Sequence, residues 1–458
     1  MKTTSKFAGF VVLAAGLAAG GCQKQSTQSL WKSVNNPAIT DQLKSFISEK
    51  QAQADSAGGD SMPGFTSFMA AAQQGDRAAV RNLGGQIEKQ AQQSYSDPRW
   101  HTARMQTVKE LIGTFDAFGD NDAKYSAIYG NEIIQSIPAG SIYFGGTDPG
   151  RFIITAMQTS QIKGDPFFTL TQNALADGSY LDYLQGMYGD KIYIPTKDDS
   201  QKCFEDYYAD VQQRMKENKL EPGENASVDP ISGKMQVSGQ VAVMNINALL
   251  VKVIFDRSTN REFYIEQSFP LAWMYPYLEP HGLIFKLNRQ PLPVLSDETI
   301  QRDHDHWTNT VAPMIGDWLN DSTTVNEISA FAEKVFHQYD FSGFKGDPDF
   351  VKSHYSHSMF SKERTSIAAL YAWRAQNTTD PGEKDRMNDA ADFAYRQAWA
   401  LCPYMPEAVY GYVQLLMTEE RSSDALIVAE TAEKLAPDRP QAEQLDQLVE
   451  QLKRYQNR

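Results

Sequence analysis

Apolar residues recur along this chain at two different spacings, and the change from one to the other divides it. After an apolar start, the stretch to residue 63 is rich in Gln, Ser, Ala and Asp and ends near Gly58-Gly59-Asp60-Ser61. Only Ile39–Gln53, with Thr40 or Asp41 as cap, has helical spacing there, so residues 22–63 read as a flexible tether. From 64 to 129 the spacing is helical. Phe65, Phe68, Met69 and Ala72 form one face, Gly75-Asp76 breaks it, Ala79, Val80, Leu83 and Ile87 resume it, and Trp100–Phe118 follows. Between 130 and 295 the pattern shortens. Ser141–Phe144, Phe167–Thr171, Lys191–Ile194, Glu262–Glu266 and Leu283–Leu287 are apolar, aromatic-rich runs of strand length. Helical patterns at Phe152–Ser160, Tyr180–Tyr188, Ser200–Lys219 and Val241–Ile254 lie among them. Strands alternating with helices predict an α/β domain on a parallel sheet. Leu220–Val237, with Pro222-Gly223 and Asp229-Pro230, is a loop or small hairpin. Helices Asp297–Leu319 and Val325–Tyr339 make a connector over 296–360, and residues 361–458 are helical again.

The tail has the clearest period. Ala391, Tyr395, Ala398 and Pro403 recur 34 residues on as Ala425, Ala429, Ala432 and Pro437. Small residues at that spacing allow paired helices to approach closely, and the pattern resembles the second helix of a tetratricopeptide unit. Val409, Tyr412, Val413 and Leu416 suit the first helix of the second unit. In the first unit an insertion, Asn377–Arg386, displaces the leading helix to Thr365–Ala375, and Ala442–Tyr455 reads as a polar capping helix. The fold class expected is therefore α/β plus all-α: a parallel-sheet domain flanked by an N-terminal helical segment and a C-terminal tetratricopeptide-like repeat.

The first 21 residues read as a leader. Lys2 and Lys6 precede an apolar run, Phe7–Ala19, that is too short to span a membrane, and the run closes on Ala19-Gly20-Gly21-Cys22. Small residues directly before a cysteine resemble the bacterial lipobox, although Ala19 stands where Leu is commonest. The resemblance implies cleavage before Cys22 and lipidation of its thiol. Two or three acyl chains, at about 0.8 kcal/mol per buried methylene, would hold the chain to a membrane. Gln23, rather than Asp, implies by the same resemblance the outer membrane, facing the periplasm.

Charge narrows the partners. The net charge of −14 becomes −16 once Lys2 and Lys6 are lost, and no long basic run offsets it, which argues against nucleic-acid binding. After Cys22 only Cys203 and Cys402 remain, far apart in sequence, so two free buried thiols are expected rather than a disulfide framework.

Three stretches resemble one known module. Gly140-Ser-Ile-Tyr-Phe-Gly-Gly-Thr-Asp148 is similar to its first strand and loop. Asp165–Asn173 with Tyr180–Leu184 is similar to its second strand and helix, and Arg261–Ile265 with Tyr277–Leu287 to its closing strands. The module is the extracytoplasmic domain of a bacterial membrane family of unknown function related to protein O-mannosyltransferases, whose members often end in tetratricopeptide-like helices. The resemblance covers about residues 130–290. It implies the fold and a binding role, with a link to envelope glycosylation, but no transferase activity. The catalytic carboxylates of such enzymes lie in or beside a membrane part, and no stretch after the leader approaches 18 apolar residues.

Candidate chemistry concentrates at Gly145–Arg151, where a strand ends and a helix begins. Ligands of open α/β sheets sit there, the helix N-terminus favours an anion, and Thr147, Asp148 and Arg151 would face it, with Asn173 and Asp177 on the same rim. Equally, Asp148 as N-cap and Pro149 in the first turn make an ordinary helix start. His304 and His306 point apart on a helix, whereas His354 and His357 share a face near Asp347 and Asp349. Trp273, Tyr275 and Tyr277, among prolines, are either a sugar or peptide surface or loop packing. No GxGxxG, GxSxG, HExxH or CxxC occurs. The expected function is thus a membrane-anchored binding module without catalytic residues, metal or cofactor, its C-terminal helices holding protein partners. The alternative is a periplasmic enzyme acting on a sugar or nucleotide-sugar through Gly145–Arg151.

Overall fold

The computed structural model describes residues 29–457 apart from 57–61, 95–96, 98–99, 101, 120–121, 222, 229–234, 267–270 and 437. The leader, Cys22 and Pro437 lie outside the described residues.

The chain begins with α1 (Leu30–Val34) and α2 (Pro37–Ser56). These correct the reading of 22–63 as a tether. Leu30, Leu43, Phe46, Ile47 and Ala54 are buried, and so is Lys50, whose Nζ lies 2.5 Å from Glu110 Oε2 and donates to the Tyr183 hydroxyl. An ion pair shielded this completely fixes α2 against the helices that carry its partners. Next come α3 (Phe65–Gln74), α4 (Arg77–Gln93), α5 (Ala103–Gly119) and α6 (Ala123–Ser136). The break foreseen at Gly75-Asp76 is a cap pair. Gly75 adopts φ +70 and its N–H closes α3 on Ala71 and Ala72, while the Asp76 side chain accepts from Ala79 N–H to open α4. A Cβ on Gly75 would lie 2.4 Å from the Trp31 indole, so α1 also requires this glycine.

The sheet follows: β1 (Ile142–Gly145), α7 (Asp148–Met157), β2 (Phe168–Thr171), α8 (Gly178–Tyr188) and α9 (Lys197–Lys216). The hairpin β3 (Asn225–Val228) and β4 (Met235–Ser238) leads into α10 (Gln240–Arg257). Then come β5 (Phe263–Glu266), β6 (Leu278–His281) and β7 (Ile284–Leu287). Five strands form one sheet in the order β2-β1-β5-β7-β6. It is mixed, not parallel. β1 runs parallel to β2 and β5, but β7 is antiparallel to β5 and β6. The cause is local: β6 and β7 are joined by a tight turn at Gly282, which forces antiparallel pairing. β6 takes an edge, where Pro280 can be tolerated. Lys191–Ile194 is not a strand. It leaves α8 through a turn closed on Tyr188 O and buries Ile192 and Ile194 without joining the sheet.

The helical remainder is α11 (Asp297–Ile315), α12 (Val325–Ala332) running into a π turn at Glu333–His337, α13 (Pro348–Lys352) and α14 (His354–Asn377). It ends with α15 (Pro381–Leu401), α16 (Pro406–Thr418), α17 (Ser422–Leu435) and α18 (Arg439–Gln456). The expected insertion 377–386 is not a loop; from Pro381 it is the first turn of a longer α15, capped by Asp380. Consecutive helices from α14 to α18 pack in pairs, and the small residues of the 34-residue period, Ala391, Ala398, Ala425, Ala429 and Ala432, are fully buried between them. One apolar core runs from Leu30 to Leu452 without stopping at the boundaries expected from the sequence. Cys203 and Cys402 are free and buried.

Candidate functional site

β1 and β5 end side by side, Gly145 paired with Glu266, and their onward connections leave in different directions: α7 leads to β2, whereas β5 feeds β6 and β7. A crevice at such a place is where an α/β sheet ordinarily receives a ligand. Here the chain fills it with its own carboxylate. Glu266 is fully buried, and its Oε2 accepts the backbone N–H groups of Gly146 and Thr147, both at 3.0 Å. Oε1 accepts the Thr147 hydroxyl at 2.6 Å. These are the donors that an external anion at the start of α7 would need. Gly150 is obligatory: a Cβ there would lie 1.5 Å from Glu266 Oε2.

Behind Glu266 stands a second acid from the tail, Glu363 of α14, also buried and close enough for the Glu266 charge to act on it. The Tyr129 hydroxyl donates to Glu363 Oε1 at 2.8 Å, and that of Tyr143 to Gly150 O at 2.7 Å. Burial first, then the Glu266 charge, raises Glu363 well above the usual carboxylate range. Burial beside a second carboxylate thus favours the protonated form of Glu363. Burial and the same acids hold Tyr129 and Tyr143 as neutral phenols.

This pair gives the fold a pH dependence of definite sign. The unfolded Glu363 carboxyl loses its proton near the ordinary value of 4.5, whereas the folded one retains it. Its contribution to stability is full below that value and declines as pH rises towards the folded pKa. Glu363→Gln supplies a permanent N–H donor and should remove the decline. Across about pH 5 to 8 its stability should fall less than that of the native chain, by up to about 1.4 kcal/mol per pH unit. Urea melts across that range, with equal slopes for both proteins, would contradict the assignment.

The five residues expected to form a ligand rim are thus placed as follows. Thr147, not Asp148, is the N-cap of α7, its hydroxyl accepting from Gly150 N–H at 3.1 Å. Asp148 is the first helical residue and pairs outward with Arg151 at 2.9 Å, while the Arg151 guanidinium lies over the Phe152 ring. Asn173 joins the loop by donating to Gly146 O at 2.9 Å and is held from behind by Asn247. Asp177 caps α8 through Ser179 N–H and faces Lys109, whose charge adds to the Ser179 bonds in holding its carboxyl below the usual value. Thr147, Asp148, Arg151 and Asn173 come together, and Asp177 is occupied elsewhere.

The histidines also have protein partners. His304 faces Asp321 and stacks on Phe393, and His306 faces Glu132. His354 and His357 do share a face, but both bond the Tyr404 hydroxyl, and Asp347 is committed to Lys124 and Tyr125. Burial lowers the pKa of both His354 and His357. Among the described residues no group of three or more His, Cys, Asp or Glu is placed to hold a metal ion. Trp273 and Tyr277 pack on Phe255 of α10, and Tyr275 on Trp373 of α14, each half-buried.

An open site lies elsewhere. A cleft of about 490 Å³ runs between α11, α14 and α15 and reaches the α16–α17 turn. Ile300, Ala390 and Phe393 give it apolar wall. Five carboxylates (Asp303, Asp321, Asp389, Asp392, Glu419) and four guanidinium groups (Arg364, Arg386, Arg396, Arg421) supply the rest. At its base Arg364, 1% exposed, donates to Asp303 Oδ2 at 2.7 Å and to Gln397 at 2.8 Å, and the Tyr371 hydroxyl adds a third bond. Sequence patterning missed Glu266, Asp303, Glu363 and Arg364 because acids and arginines read as solvent-facing. The one available signal was a strand ending on Glu266 directly after Phe-Tyr-Ile.

Comparison with known proteins finds no matching family model, no matching curated protein and no matching solved structure.

Proposed function

We propose that this chain is a lipid-anchored envelope protein that binds a partner through the cleft beside its C-terminal helices and carries no catalytic site of its own. What supports the anchor is the leader pattern that closes on Cys22. The binding reading rests on one observation above all: the loop best suited by sequence to hold a ligand is satisfied by Glu266, whereas the cleft lined by α11, α14 and α15 is open. The 34-residue period and the buried alanines of α15 and α17 favour a tetratricopeptide-like stack, a scaffold that presents concave surfaces to partners. The enzyme alternative loses its motive with the loop filled, since Asp148 pairs with Arg151 and Asp177 with Lys109.

Photo-crosslinking in intact cells tests the binding. A benzophenone side chain at position 321 or 419, both on the cleft rim, should yield a discrete adduct that the same group at Lys202 of α9 does not. No adduct at either rim position removes the proposal. For the anchor, mass spectrometry should find a diacylglyceryl thioether on Cys22, and Cys22→Ala should release the protein without detergent.

A further inference from the structure

The unused capacity of the cleft is not evenly divided between its two signs. All four arginines are committed within the chain. Arg364 holds Asp303 and Gln397, and Arg386 holds Asp297, Glu383 and Leu295 O. Arg396 holds Asp392 and the carbonyls of Asp321 and Thr323, and Arg421 holds Asp392, Glu419 and Asp424. A phosphate or carboxylate entering the cleft would have to displace these bonds.

The acids are different. Asp303, 5% exposed, uses Oδ2 for both Arg364 and Tyr371 and leaves Oδ1 with no hydrogen-bond partner in the protein. A buried acceptor in that state carries a desolvation cost that only a donor can relieve. On the opposite wall Asp389 makes no ion pair or hydrogen bond among the described residues, although it sits near Asp392. Ile300 and Ala390, beside them, offer the apolar contact that an alkyl stem would use.

We infer that this cleft binds a single organic cation, an alkylammonium or guanidinium group, between Asp303 and Asp389, with its stem against Ile300 and Ala390. The inference rests on the binding role proposed above. The donor is either a free small amine or a lysine or arginine side chain borne by a protein. Both present the same N–H donors, and an amphipathic side chain of that size suits a cleft of about 490 Å³.

Isothermal titration of the full mature chain at fixed ionic strength decides it. The probes are n-butylammonium, n-butylguanidinium, the peptide acetyl-Gly-Gly-Lys-Gly-Gly-amide, and butyrate as the anion. At least one cation should bind saturably, tenfold or more weakly after Asp389→Asn, and without detectable heat after Asp303→Asn. Asp389 is exposed on α15, so its variant keeps the test valid even if Asp303→Asn, which touches Arg364, lowers stability. A peptide at least tenfold tighter than butylammonium assigns the site to a protein-borne side chain; equal or weaker binding assigns it to a free amine. The inference falls if no cation saturates, if Asp389→Asn and Asp303→Asn bind like the native chain, or if butyrate binds better. Should it fall while the rim adducts persist, the binding role stands with a different ligand; loss of the adducts removes that role itself.

Discussion

Glu266→Ala is expected to cost about 3–5 kcal/mol of folding free energy, because its buried carboxylate accepts both the N–H and the hydroxyl of Thr147 and shares the Gly146 N–H with its own backbone carbonyl. The N–H and hydroxyl of Thr147 would be left facing a buried space, the Gly146 N–H would keep only the Glu266 backbone carbonyl, and Glu363 would lose its neighbouring carboxylate. Glu266→Gln should cost far less, about 1 kcal/mol. Its carbonyl can accept both backbone donors while its amide N–H turns towards the Thr147 hydroxyl. Gly150→Ala should resemble the alanine variant, since its methyl occupies the same space as the Glu266 carboxylate. Urea unfolding of the three variants is the measurement. Equal losses for Ala and Gln at position 266 would mean that volume, not hydrogen bonding, is what Glu266 supplies.

Arg364→Ala is expected to cost a similar amount, about 3–5 kcal/mol, for a different reason. Both partners of the Arg364–Asp303 pair are almost wholly shielded, at 1% and 2% side-chain exposure, so removal of the guanidinium strands a charge inside the protein. Phenol donation from Tyr371 alone does not replace it. The loss should be largely recovered in the double variant Arg364→Met, Asp303→Leu, which removes both charges and keeps volume. If the double variant is as unstable as the single one, the ion pair is not what α14 requires at this point. The pair also explains how α14 is held. Unusually polar for a helix buried on all sides, it is joined by Arg364 to α11, by Glu363 to the strand end at Glu266 and by Arg374 to the carbonyls of Leu278 and Leu292.

Those three contacts show what one sequence can and cannot disclose. Apolar runs at strand length placed β1, β2, β5 and β7 nearly to the residue, and 3–4 spacing placed most helices, because both periods follow from local backbone geometry. The break at Gly75-Asp76 was legible for the same reason: a positive φ and an N-cap leave a local signature. Lys191–Ile194 has strand composition but no strand, since pairing depends on a vacant edge at the right distance. α2 was legible as a helix at Ile39–Gln53 but was read as part of a tether, because its anchor, Lys50, is a charge that Glu110 and Tyr183 make compatible with burial.

The candidate site divides in the same way. Its loop, helix start and Asn173 could be read from glycines, a proline and their spacing, which is local information. That the loop is already satisfied depends on Glu266, about 120 residues further on, and on Glu363, almost 100 beyond that. The sequence alone determined where most elements begin and end, where the chain carries a leader's pattern, and that its tail repeats every 34 residues. Tertiary structure alone decided which charges are buried together, and with them which crevice is closed and which is open. The physical reason is that periodicity reports one residue's relation to its near neighbours, whereas the cost of a buried charge is set by partners that only folding brings within 3 Å.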